Sequence, residues 1–145
     1  MQQLPHHYRA AATSRPEGHV NVSSPGLATL ESAPPAEYGG PGDKWSPETM
    51  LVAAVADCFV LTFKAIARLS KLDWSSLACD VEGVLDREDK ATRFVSFRID
   101  AVLDVPGGTD ESRAQRLLEK AEETCLVTRS LTASPTLDTR VRIAG

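Results

Sequence analysis

The sequence predicts an α+β fold, with helices packed on antiparallel sheet. Three observations carry that expectation. A long apolar helical stretch runs through the middle of the chain. Two segments after it alternate apolar and polar residues strictly. The first third is cut by proline and glycine into short extended pieces. The 145 residues suit one domain, 1–145, large enough to bury a core.

Residues 7–13, 18–24 and 27–32 are expected strands. They are separated by Arg15-Pro16-Glu17-Gly18 and Ser24-Pro25-Gly26, both turn signals, and Val20 and Val22 alternate with polar neighbours. Residues 33–44 hold Pro34, Pro35, Gly39, Gly40, Pro41 and Gly42, too many breakers for a regular element, and are expected to form a loop that shapes a site. Ser46-Pro47-Glu48 then opens a helix: serine caps free amides, proline loses nothing at the first helical position, and a carboxylate favours the positive helix end. The helix is predicted to run to about Leu72. Leu51, Val52, Val55, Phe59, Thr62, Phe63, Ile66 and Leu69 follow helical spacing, while Ala53, Ala54, Ala56 and Val60 make the other side apolar too. The first half of this helix is therefore expected to be covered on most sides, and the second half, with Lys64, Arg68 and Lys71, to emerge into solvent.

In the next strand Leu77, Cys79, Val81, Gly83 and Leu85 alternate with polar residues. In the one after it Val95, Phe97, Ile99, Ala101, Leu103 and Val105 do the same, with 86–92 as the charged hairpin turn. Thr109 is expected to cap a second helix over 110–124, with an apolar stripe of Leu117, Leu118 and Ala121, and 136–143 is expected to close the chain as a strand.

Composition excludes several function classes. A formal net charge of −4 disfavours nucleic acid and anionic membrane surfaces as partners. The polar start with Pro5, His6 and His7 does not read as a secretory signal, so a cytoplasmic location is expected. The central apolar stretch carries Asp57, Lys64 and Arg68, which favours a core helix over a membrane span. Three cysteines without a CxxC pair or a histidine cluster fit neither a disulfide scaffold nor a structural zinc site. His6, His7 and His19 read as solvated, and no metal is expected.

The cysteines differ in context. Cys79 lies on the apolar face of a strand, the place of a small buried hydrophobe. Cys125 ends a polar helix, whose negative end raises a thiol pKa, so it is not the expected thiolate; a resolving role stays open. Cys58 lies in the most apolar helix, where packing and reactivity are both open. To react it needs help in ionising, since burial disfavours charge. Arg9, Arg15, Lys44, Lys64 and Arg68 are the available cations, and periodicity does not choose among them.

Residues 34–59, PPAEYGGPGDKWSPETMLVAAVADCF, resemble the OsmC/Ohr family of organic hydroperoxide reductases. The matching pieces are Gly39-Gly40, then Ser46-Pro47-Glu48 opening the helix, then Ala56-Asp57-Cys58-Phe59. Further on, Glu122-Glu123-Thr124-Cys125 ends the second helix, with Val127 soon after. The resemblance implies an OsmC-like α+β fold, with Cys58 on the long central helix and Cys125 at the end of the second, assembled as an intertwined homodimer with sites at the subunit interface. It also implies a peroxide-attacking Cys58, a resolving Cys125, a glutamate at Glu48 and a thiolate-supporting arginine at Arg15, with Arg9 as the alternative. No metal or organic cofactor is implied. The substrate implied is a small-molecule hydroperoxide, and the reductant an external dithiol such as a lipoyl group on a carrier protein. A proline commonly follows the family's second cysteine, and here Leu126 stands there. Ten residues of helix separate Glu48 from Cys58 by roughly 15 Å, so the two cannot touch directly. The same fold without turnover, as a redox-sensing or ligand-binding stress protein, is the alternative function. Trp45, Tyr38, Phe59 and Phe63 are candidates to line an apolar pocket or to pack in the core.

Overall fold

The computed structural model describes residues 2–145. Residues up to Leu51 form one compact unit and Val52–Gly145 a second.

In the first unit, β1 (Ala11–Thr13), β2 (Val20–Ser23) and β3 (Leu30–Ser32) make an antiparallel sheet in that order. All three expected strands are present, but shorter than predicted; residues 7–10 join no ladder. In the loop that follows, Tyr38 N–H and Gly40 N–H both donate to the Pro35 carbonyl, at 2.9 and 3.1 Å. Gly40 is then pressed against the backbone of Pro34, where a Cβ would lie 1.6 Å from the carbonyl oxygen, so no other residue fits. The loop ends in a reciprocal cap. Thr49 N–H donates to Ser46 Oγ at 3.1 Å, and Ser46 N–H donates to Thr49 Oγ1 at 2.9 Å. A threonine takes the place usually held by glutamate or glutamine in such a box.

The helix so opened, α1 (Pro47–Leu69), ends three residues before the predicted point. Lys71 adopts a left-handed conformation, φ 55°. Leu72 N–H then bonds the Ala67 carbonyl at 2.9 Å and Lys71 N–H the Arg68 carbonyl at 3.2 Å. That is a Schellman stop built without glycine, closed by the buried Leu72.

The second unit holds β4 (Ser76–Glu88), β5 (Ala91–Val105), α2 (Glu111–Thr124), α3 (Leu126–Arg129) and β6 (Pro135–Ile143). The hairpin turn is only Asp89 and Lys90, both at positive φ, shorter than the predicted 86–92 because such a two-residue turn matches the strand twist. The expected antiparallel sheet is mixed. β4 pairs antiparallel with β5, but β6 pairs parallel with it, since the chain passes through α2 and α3 before re-entering the sheet. Asp110, not Thr109, caps α2: its Oδ1 accepts from Arg113 N–H at 3.2 Å, while the Thr109 hydroxyl donates to the Pro106 carbonyl.

The core is the inner face of β5 (Phe97, Ile99, Ala101, Leu103, Val105) with α1 (Val55, Phe59, Phe63, Ala67) and α2 (Ala114, Leu118, Ala121). Each large side chain buried there contributes about 1.5–3 kcal/mol. The helix α1 comes close to the sheet at Gly83, where a Cβ would sit 2.8 Å from Val52 Cγ2 and 3.0–3.1 Å from the rings of Phe94 and Phe97. Phe63 meets Trp74 edge to face at 5.5 Å. Phe59 and Phe63 are therefore core, while Tyr38 and Trp45 are exposed. By length and composition α1 is apolar enough to cross a membrane. Only its Val55–Phe59–Phe63–Ala67 stripe is fully buried in this chain, and Leu61 is 55% exposed. In the first half Val55 and Phe59 are buried and Leu51, Val52, Ala53, Ala54, Ala56 and Val60 half-buried, so the expected cover is partial within one chain; Lys64, Arg68 and Leu69 in the second half are exposed, as expected.

Candidate functional site

Two half-turns of chemistry meet at Cys58. The thiol projects from α1 about three turns beyond its start, half-buried, and the end of α2 delivers Cys125 beside it. Cys125 is at once the C-terminal cap of α2 and the N-terminal cap of α3: its N–H bonds the Glu122 carbonyl at 3.4 Å, and its own carbonyl accepts from Arg129 N–H at 3.1 Å and from the Thr128 hydroxyl at 3.2 Å. This double anchorage fixes a buried sulfur at the kink between two helices. Cys58, Cys79 and Cys125 are all free thiols.

Burial is the largest influence on Cys58, and it pushes the thiol up. Hydrogen bonds to the sulfur overcome it: the Val127 amide first, then the Cys125 side chain, the Thr62 hydroxyl 3.8 Å away, and the Leu126 amide. The net effect is a thiol that ionises below its ordinary range. The groups that lower it are all neutral donors. Cys125 moves the other way. Burial raises it, and facing Cys58 raises it further, against the Thr128 amide and hydroxyl that lower it. The pair is thus polarised: the surroundings favour ionisation at Cys58 and retention of the proton at Cys125. A thiol helped to ionise beside one that keeps its proton more tightly is an arrangement suited to attack on an electrophile followed by resolution of the product.

Of the residues singled out from sequence, the structure brings Cys58 and Cys125 together. Glu48 lies in the first turn of α1, half-buried. Arg15 lies in the turn after β1 and lines a hollow of about 370 Å³ with Thr13, Ser14, Glu17, His19 and Asn21. Among the described residues no ion pair joins Arg15 to Glu48. Of the other cations, Lys44 pairs with Glu31 at 3.2 Å, and Lys64 and Arg68 are exposed on α1. Among the described residues no three His, Cys, Asp or Glu side chains cluster as a metal site. Sequence reasoning missed the two amides and Thr62. The amides belong to α3, whose four residues carry no periodic signal. Thr62 was visible as the residue four after Cys58, the spacing that places two side chains on one helix face.

The sequence model of the OsmC-like protein family matches residues 40–140, which include Glu48, Cys58 and Cys125. The Bacillus subtilis protein YmaD, itself uncharacterized, is 28% identical over 129 residues, covering 86% of this chain and 85% of that one. Among solved structures, an OsmC-like protein of unknown function from Vibrio cholerae superposes with a TM-score of 0.87 at 15% identity, covering 94% of this chain and all of the other. An organic hydroperoxide resistance protein from Legionella pneumophila gives 0.72 at 24% identity over 99% of this chain and all of that one. One from Elizabethkingia anophelis gives 0.77 at 19% over the same shares. At these identities the structural likeness shows the fold: this α+β arrangement is OsmC-like.

Proposed function

The chain belongs to the OsmC-like protein family, and from that premise we propose that it is a thiol-dependent peroxidase that reduces organic hydroperoxides to alcohols. The observation that carries this reading is the Cys58–Cys125 pair, with hydrogen-bond donors placed to favour charge on Cys58 over Cys125. Structural neighbours named as organic hydroperoxide resistance proteins support it.

In the proposed cycle the Cys58 thiolate attacks the distal peroxide oxygen. The O–O bond breaks, an S–O bond forms, and the leaving alkoxide takes a proton to become the alcohol. Sulfur is oxidised by two electrons to a sulfenic acid as the peroxide is reduced by two. The sulfur of Cys125 then attacks Cys58, the S–O bond breaks, water leaves and a disulfide remains. An external dithiol, a lipoyl group being one candidate, returns both thiols by two exchanges and is itself oxidised to a disulfide. Arg15, with Arg9 as the alternative, supplies a guanidinium to the reacting oxygens, and Glu48 orients it. The working unit is a homodimer in the cytoplasm. The support for the dimer is the first half of α1, apolar nearly all round yet fully buried only at Val55 and Phe59, with Leu61 just beyond it left 55% exposed.

The test is peroxide loss by the purified protein with dihydrolipoamide, comparing cumene hydroperoxide with hydrogen peroxide. Turnover with preference for the organic peroxide is expected. A thiol pair that oxidises once and does not cycle with any dithiol would move the assignment to redox sensing on the same fold.

A further inference from the structure

Hydroxyls inside helices normally bond back to the main chain. The Thr124 hydroxyl donates to the Lys120 carbonyl at 2.8 Å, Thr128 to Cys125 at 3.2 Å, and Ser130 to Leu126 at 2.8 Å. Thr62 lies within α1, where the Cys58 carbonyl is the acceptor such a hydroxyl would use. Instead its Oγ1 stands 3.8 Å from the Cys58 sulfur, within reach for so large an atom, at a half-buried position. Once Cys58 is ionised the sulfur has no proton to give, so Thr62 must be the donor.

We propose that Thr62 is a further catalytic residue, whose hydroxyl is committed to the Cys58 sulfur and holds it as thiolate before attack and as sulfenate after it. The inference rests on the peroxidase reading for its place in the cycle, but not for its chemistry, since the hydrogen bond acts on the thiolate whatever electrophile follows. The geometry explains why the hydroxyl is spared from back-bonding. It lies one turn along the same helix as the sulfur, so it moves with Cys58, whereas the amides of Leu126 and Val127 lie on a separate element. Thr62 therefore sustains the thiolate if the Cys125 end of α2 shifts to form or release the disulfide. Among titratable groups, Cys125 faces Cys58 from the α2–α3 junction and Asp57 is its neighbour on α1, exposed to solvent.

The experiment is the pH profile of Cys58 alkylation by iodoacetamide, read on the Cys58 peptide by mass spectrometry. Wild type, Thr62→Val and Thr62→Ser are compared, each also with Cys125→Ser to remove the coupled thiol. Thr62→Val keeps shape and loses the donor. Its midpoint is expected to rise by about half to one pH unit, with alkylation near neutral pH about 3–10-fold slower, as for the loss of one hydrogen bond of ordinary net strength. Thr62→Ser should restore the wild-type profile. If Thr62→Val does not fold by circular dichroism, Thr62→Ala, a better helix former, carries the comparison. A valine or alanine profile that overlays wild type, or a serine profile that overlays valine, overturns the assignment. No peroxide enters this assay, so the proposal fails or stands apart from the turnover result.

Discussion

Cys58 and Cys79 are both half-buried thiols in the same unit of the chain, yet they are driven in opposite directions. Burial raises both. Around Cys58 the remaining influences are hydrogen-bond donors, which reverse the effect of burial. Around Cys79 the carboxylates of Asp80 and Asp100, and the nearby Cys125, add to burial and push the thiol up to about 11. The sheet explains this. Asp80 lies directly opposite Asp100 across β4 and β5, and Asp100 opposite Asp138 across β5 and β6. Three carboxylates thus stand in a row beneath the strand that carries Cys79. Among the described residues only Arg98 makes an ion pair with this row, with Nε 3.1 Å from Asp138 and 3.5 Å from Asp100. Burial therefore does not set the direction in which each thiol is driven; the neighbours do.

The largest effect that breaks or sharpens this contrast is on turnover. Cys58→Ser is expected to reduce peroxide consumption to background, a loss of at least about 100-fold, as for removal of a covalent nucleophile. Cys79→Ser should stay within about twofold of wild type. If the two variants exchange behaviour, the neighbour argument is wrong in the one place where it makes a chemical choice.

A smaller effect is expected at the resolving thiol. Cys125→Ser leaves the first oxidation possible and blocks the disulfide, so one equivalent of peroxide should be consumed in a burst. Steady dithiol-driven turnover should then fall by about 10-fold or more. Dimedone should label Cys58 in this variant and not in wild type. Steady turnover equal to wild type would mean that the external dithiol attacks the sulfenic acid directly, leaving Cys125 as packing.

How far the sequence foresaw this contrast differs by element. Strict alternation in residues 95–105 located the core strand and its buried face, because a period of two leaves no other register. The Ser46-Pro47 start was legible as a cap, while its partner Thr49 was not, since that position normally carries glutamate or glutamine. The end of α1 was overrun because Lys71 takes the left-handed role that glycine usually announces. The parallel pairing of β6 was hidden, because a strand's own sequence carries no record of its neighbour's direction. At the site, helix and loop motifs picked out Cys58 and Cys125. The donors on the sulfur were invisible because two are backbone amides, which every residue carries.

The smallest expected effect concerns the pH dependence of stability, and it tests Cys79 alone. With the native thiol raised to about 11 from an ordinary 9.0, the folded chain keeps its proton between those values while the unfolded chain loses it. The unfolded state then binds fewer protons, so stability falls as pH climbs through this window and levels off above it. Lysines and tyrosines titrate there too, so the measurable quantity is the difference between wild type and Cys79→Ala in urea unfolding. Near pH 8 the variant should be less stable, by up to about 1 kcal/mol for a few lost atoms at a half-exposed site. That deficit should shrink from pH 9 to 11, because only wild type carries the thiol whose ionisation the fold resists. A deficit that stays constant across the window would show that neither burial nor the aspartate row raises the Cys79 thiol. The opposed fates of the two thiols would then rest on the donors at Cys58 alone.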